Sequence, residues 1–312
     1  MAVEDAQRAD VIVQMLAAGS RFGKLLPRIE ERHHMKTILV PIEAHNTIQS
    51  VLETALLAGQ TFDAHIEGFA LRPAIGNVVT MDPVNSLTVV SLRENDLEMA
   101  HEARGIFDTF MRDQRVPLLD GTNTSVSYGW FDGAPSGDDF VGSYGRVFDL
   151  IILGRPAKGP QGPRMTTLET ALFESGRPVL LAPPAPPHSI GDKILIAWNC
   201  STEQSRATAF AMPLLRKATS VIISTVEGAT VPGPSGEQMA RNLLMNGVRA
   251  ESVIVAPGQR RAGEVILAQA QTLGCDLIVK GAYTKSRLRQ MIFGGTTQHI
   301  LTHATVPVLL AH

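Results

Sequence analysis

Three short apolar segments occur twice in this chain, in the same order. One folding unit used twice is therefore the simplest architecture. Lys36-Thr37-Ile38-Leu39-Val40-Pro41-Ile42-Glu43 returns as Lys193-Ile194-Leu195-Ile196-Ala197-Trp198-Asn199. Asp149-Leu150-Ile151-Ile152-Leu153-Gly154 returns as Asp276-Leu277-Ile278-Val279-Lys280-Gly281, and Pro178-Val179-Leu180-Leu181-Ala182 as Pro307-Val308-Leu309-Leu310-Ala311. The spacing is 156 residues for the first pair, from Ile38 to Ile194, but 127 for the second, from Asp149 to Asp276. The first half thus carries roughly 30 additional residues between its first and fourth strands. They are expected around 70–95, as a loop punctuated by Pro73, Gly76 and Pro83. Val78, Val79, Met81, Leu87 and Val89 in that insertion could shape an apolar pocket for a small ligand.

These segments are continuous apolar runs without polar alternation, which predicts strands covered on both faces, as in a parallel sheet flanked by helices. The segments after the first strand of each half have helical apolar spacing: Ile48, Leu52, Ala55 and Leu56, then Ala207, Phe210 and Leu214. The predicted fold class is α/β, with two tandem, open, twisted parallel-sheet domains of five strands each, flanked by helices in a Rossmann-like way. The expected boundaries are an N-terminal extension over 1–35, a first domain over 36–183, a proline-rich linker over 184–190 and a second domain over 191–312. Pro183-Pro184-Ala185-Pro186-Pro187 cannot join a ladder or a helix, which suits a stiff connection. The extension has two open readings: a tail with one loosely docked helix near Val11–Ala18, or translation that starts at Met35.

Composition excludes several classes. With 28 basic and 30 acidic residues, the formal net charge is -2, so no global basic field attracts nucleic acid or an anionic membrane. No run approaches the length of a membrane span. Two cysteines, Cys200 and Cys275, without CxxC or zinc spacing, fit a reducing, cytoplasmic setting. Gly-x-Ser-x-Gly, the P-loop and Gly-x-Gly-x-x-Gly are all absent. Cys200-Ser201 has no identifiable base beside it, and His299 and His303 share a helix face without a third ligand, so no catalytic or metal residue is assigned.

In an open parallel sheet, ligands bind beyond the carboxyl ends of the strands, where strand order reverses. In the second half that region holds Trp198-Asn199-Cys200-Ser201, the end of the run closing at Val226, and Lys280-Gly281 through Thr297. Glycines let backbone amides approach an anion, and a helix N-terminus adds donors and a favourable dipole. Gly294-Gly295 precedes Thr296-Thr297 and a helical stretch, and Lys285, Arg287 and Arg289 add positive charge.

This segment resembles the phosphate-binding signature of the universal stress protein family: Gly, two residues, Gly, nine residues, Gly, then Ser or Thr. Gly281 falls on the first glycine and Gly294 on the third, while Thr284 replaces the second and Gly295 precedes Thr296 where Ser or Thr is usual. Gly263-Glu264-Val265-Ile266 and the closing Ile300–Leu310 run also resemble the family, and the likeness covers about 36–312 as two copies. It implies an adenine-nucleotide α-hydrolase-like fold and a stress-response protein that binds ATP or ADP, with or without Mg, in its C-terminal domain. The implied site is Asn199, Val226, Lys280, Gly281, Thr284, Lys285, Gly294, Gly295, Thr296 and Thr297. The family position just after strand one is usually Asp; here it is Glu43 in the first copy and Asn199 in the second. The first copy lacks the Gly-Gly pair and carries Pro156, Pro160 and Pro163, which remove backbone donors, so it reads as a degenerate copy. The resemblance further implies pairing through the last strands, Val179–Ala182 with Val308–Ala311, as an intrachain pseudo-dimer, with a further homodimer left open. Hydrolysis would be slow at most. The alternative is a nucleotide-free scaffold acting through an unknown protein partner.

Overall fold

The computed structural model describes residues 35–74, 83–119, 125–157, 162–282 and 295–312. The first half runs β1 (Thr37–Ile42), α1 (Ile48–Phe62), β2 (His65–Ala70), α2 (Pro83–Asp113), β3 (Ser127–Phe131), α3 (Asp139–Gly145), β4 (Leu150–Leu153), α4 (Met165–Glu174) and β5 (Val179–Leu181). The second runs β6 (Lys193–Ala197), α5 (Thr202–Leu215), β7 (Ser220–Val226), α6 (Gly236–Met245), β8 (Glu251–Val255), α7 (Ala262–Thr272), β9 (Leu277–Gly281), α8 (Gly295–His303) and β10 (Val308–Ala311).

The ten strands form one sheet in the order β3-β2-β1-β4-β5-β10-β9-β6-β7-β8. Within each half all pairings are parallel. The halves meet where β5 and β10 pair antiparallel, with Leu180 opposite Leu309. Both strands are apolar and buried, so each shields the other's edge, an otherwise sticky surface.

Alternate side chains enter two cores. Ile38, Val40 and Ile42 of β1 join Ile194, Ile196, Leu277 and Val279 on one face. Leu39, Ile151, Leu195 and Ile278 lie on the other, against α3, α4, α7 and α8. Each fully buried Leu, Ile or Val contributes about 1.5–3 kcal/mol, so continuous apolar runs favour a sheet covered on both sides.

The insertion departs from expectation. Much of the segment expected as a loop is the start of the 31-residue helix α2. Pro83 sits at its first position, where the missing amide would be unpaired anyway and the fixed φ suits the helix. Its far end is anchored by Ala103, Phe107, Phe110 and Met111, all buried at helical spacing against the first core. The proposed pocket around Val78, Val79, Met81, Leu87 and Val89 lies outside the residues whose side chains are described.

Candidate functional site

In the second half, strand order reverses between β6 and β9, and their carboxyl ends form the crevice. β6 stops at Ala197, and Trp198 turns inward. The residue is 2% exposed and its Nε1 donates to the Pro234 carbonyl at 2.9 Å, so it is a core residue. Asn199 shapes the turn that follows: its carbonyl accepts from the Val231 amide at 3.1 Å, and its Oδ1 from the Ser201 amide at 3.3 Å. Cys200 adopts φ 67, a left-handed conformation unusual for a side chain. A Cβ on Gly233 would meet the Cys200 carbonyl at 2.6 Å, so glycine there permits the close pass of the two loops. Ser201 then caps α5, accepting from the Gln204 amide at 3.1 Å.

Gln204 is fully buried and takes over where β6 ends. Its Nε2 donates to the Val279 carbonyl at 3.3 Å and its Oε1 accepts from the Gly281 amide at 2.8 Å. Sequence reasoning missed this residue. Gly281 is therefore required for close packing: a Cβ there would overlap the Glu203 and Gln204 backbone. The amide expected to face a phosphate is already used. Lys280 is 4% exposed, and its Nζ donates to the Gly281 carbonyl at 2.7 Å. Burial pulls its pKa down to about 8, with nearby Glu203 acting in the opposite direction. Val226 closes β7 and is buried.

Gly295 opens α8 and is exposed; a Cβ on it would meet no atom within 4 Å. Thr296 is half-buried and Thr297 buried. The first turns of α7 and α8 pack closely, because a Cβ on Gly263 would lie 3.1 Å from the Thr296 carbonyl. That contact accounts for the glycine in Gly263-Glu264-Val265-Ile266. Thr284, Lys285 and Gly294 lie outside the described residues.

The first half holds a denser cluster at the corresponding place. Arg164 Nη1 donates to Glu43 at 3.0 Å, while its Nη2 and Nε donate to Asp138 at 2.8 and 3.2 Å. Thr166 and Thr167, in the first turn of α4, donate their hydroxyls to the same Asp138 carboxylate at 2.5 and 2.7 Å. Burial pushes the Asp138 pKa up, but these hydrogen bonds prevail and hold it below the ordinary value. Glu43 rises to about 7, chiefly through burial, with Arg164 opposing and Asp138 adding to the rise. His45 accepts from Thr47 and is lowered to about 4 by burial.

The two halves differ here in charge. Asp138 immediately precedes α3, and Arg261, which is exposed, immediately precedes the corresponding helix α7. Each following helix, α4 or α8, begins with a Thr-Thr pair. The first half therefore supplies its own anion to its helix start, and the second half places a cation at the same topological point.

A cavity of about 310 Å³ lies on the flank between α7 and α8, lined by Glu264, Gln271, His299, His303 and Thr305 among others. It reaches the sheet at Ile278, near the opposite end of β9 from the crevice. His299 and His303 stack with centroids 4.2 Å apart. Among the described residues no group of three His, Cys, Asp or Glu could hold a metal ion, and no helix is long and apolar enough to cross a membrane.

The family model described as the universal stress protein family matches residues 191–312, which include the β6–β9 crevice and α8. Residues 191–312 thus match the universal stress protein family. A universal stress protein from Synechocystis sp. is 25% identical over 173 residues; the match spans 52% of this chain and 57% of the relative, little more than half of its length. Among solved structures, a universal stress protein from Archaeoglobus fulgidus superposes with a TM-score of 0.63 at 16% identity, covering 89% of this chain and 98% of its own. A functionally unknown protein from Pseudomonas aeruginosa PAO1 superposes at 0.50 and 16% identity, covering 89% and 92%. At these identities the superpositions establish the α/β fold.

Proposed function

We propose that the C-terminal half binds an adenine nucleotide, ATP or ADP, at the carboxyl ends of β6 and β9, and that the protein is a nucleotide-responsive regulator of the stress response. The contrast between the two helix starts carries this reading. In the first half, a Thr-Thr pair and an arginine converge on the Asp138 carboxylate, so this local geometry receives an anion. In the second half, Thr296 and Thr297 open α8, and Arg261 stands in the place of that acid. Such a helix start, with orphan amides and a positive dipole end, suits a phosphate from outside the chain. Asn199 and Val226 would border the nucleoside, and Lys280 would add positive charge beneath the phosphates. Magnesium, where present, would accompany the phosphates. Among the described residues no general base stands out at the crevice, and any hydrolysis would be slow.

The test is calorimetric titration of ATP–Mg into protein purified without nucleotide, beside Arg261→Glu and Gly294→Asp. One saturable site per chain, weakened at least about tenfold in Arg261→Glu and lost in Gly294→Asp, supports the reading. No heat from a well-folded parent that carries no co-purifying nucleotide overturns it. That result would instead favour a scaffold acting through protein partners, a reading that draws on the commitment of the Gly281 amide to Gln204.

A further inference from the structure

Lys280 interrupts an otherwise apolar strand, and its burial is costly. An ammonium has three donors. Among the described residues, Lys280 makes one hydrogen bond, to the Gly281 carbonyl. Glu203, in the first turn of α5, is the acid whose field reaches it, and the two form no ion pair within bonding distance. A buried charge with so little compensation destabilises the free protein.

The fold itself does not demand a cation at this position. The residue at the same point of β4 is Leu153, which is also 4% exposed. The half that supplies its own anion therefore has leucine, and the half without that acid has lysine.

The place of the charge is also informative. Within a strand, the amide and carbonyl of one residue point to the same side, and the Gly281 amide points to Gln204 on the β6 side. β6 pairs with β9 only as far as Val279. The Gly281 carbonyl, with the Lys280 ammonium on it, thus lies at the mouth of the β6–β9 crevice, where the strand order reverses.

We propose that Lys280 is a buried counter-charge for the phosphate chain, and that it sets the preference of the site for the more highly charged nucleotide. This rests on the nucleotide reading above. A desolvated charge acts through a low dielectric, so its attraction grows with each phosphate added and is absent for the bare nucleoside.

The experiment replaces Lys280 by the first-half residue, Lys280→Leu, and measures affinities for adenosine, AMP, ADP and ATP together with urea denaturation without ligand. In the parent, affinity should rise along that series. In Lys280→Leu, ATP should weaken by at least about tenfold, adenosine should be unchanged and the series should flatten. The ligand-free variant should unfold at the same or a higher urea concentration, because a charge with little compensation has left the interior. An unchanged series, or a variant less stable than the parent, overturns the proposal; the latter would show that the ammonium serves the fold by clamping Gly281. A parent that binds none of the four compounds removes the nucleotide reading and this proposal together, whereas a parent that binds them with the variant unaffected removes only the role of Lys280.

Discussion

Gln204 and Gly281 are held together at the end of β9: Oε1 of the glutamine accepts the glycine amide at 2.8 Å, and the glycine backbone lies too close to α5 to accommodate a Cβ. The side-chain amide of Gln204 completes the ladder that β6 leaves unfinished, pairing both Val279 and Gly281. Gly281→Ala should lose about 1–3 kcal/mol through overpacking against a backbone that cannot yield. Gln204→Leu should lose a similar amount, about 1–3 kcal/mol, by leaving a buried amide unpaired. Urea denaturation of each variant checks both values.

Asp138 is the hub of the first half, and its partners should be strongly coupled. Asp138→Asn and Arg164→Met each break the network and leave charged or polar groups unpaired. The double variant should cost less than the two single losses added together, with a coupling of about 0.5–3 kcal/mol. Additive losses in a double-mutant denaturation cycle would show that the hydrogen bonds act independently.

Glu43 predicts a pH signature. Its pKa is raised to about 7 in the folded state, so the native protein binds this proton more tightly than the unfolded chain. The stability it contributes is fully present below the unfolded value of 4.5 and is lost as pH rises through about 7. His45, lowered to about 4, works the other way: its contribution is present above its ordinary value of 6.5 and lost as pH falls toward 4. The comparison with Glu43→Gln isolates the carboxyl. Relative to the parent, that variant should gain about 2–3 kcal/mol between about pH 5 and pH 8. Denaturation at a series of pH values, parent beside variant, measures it, and parallel curves would refute the assignment.

The β5–β10 seam joins the two halves through short strands. Leu309, fully buried opposite Leu180, should cost about 2–5 kcal/mol as Leu309→Ala. If the halves are coupled through this seam, the variant should still unfold in a single transition. Two resolved transitions would show that the halves fold as separate units.

Much of this architecture could be read along the chain because its signals are local. Continuous apolar runs such as Leu150–Leu153 and Leu277–Val279 mark strands covered on both faces, and the helical spacing of Ala207 and Leu214 marks a helix between them. Recurrence of the same runs announced the repeated order of elements. The expected loop near 70–95 failed for a reason of the same kind. Pro83 punctuates a chain only where its ring clashes with a preceding turn, and at a helix start no such turn exists.

The remaining features depend on residues far apart in sequence. Asp138 and Arg164 are 26 positions apart, Glu43 and Arg164 are 121, and Gln204 and Gly281 are 77, so no periodicity connects them. Gly281 has the same backbone freedom whether it faces a phosphate or packs against α5; the position of Gln204 decides between these. Lys280 could be counted from the sequence as a cation near a glycine, but its burial follows from the strands and helices around it. The sequence by itself determined the order of the elements and the apolar strands, because hydrophobic pattern and turn residues act over a few positions. Only the tertiary structure decided which donors are already used, which acid fills the first half and which charge is left in the interior of the second, because desolvation and hydrogen-bond geometry exist only once distant segments meet.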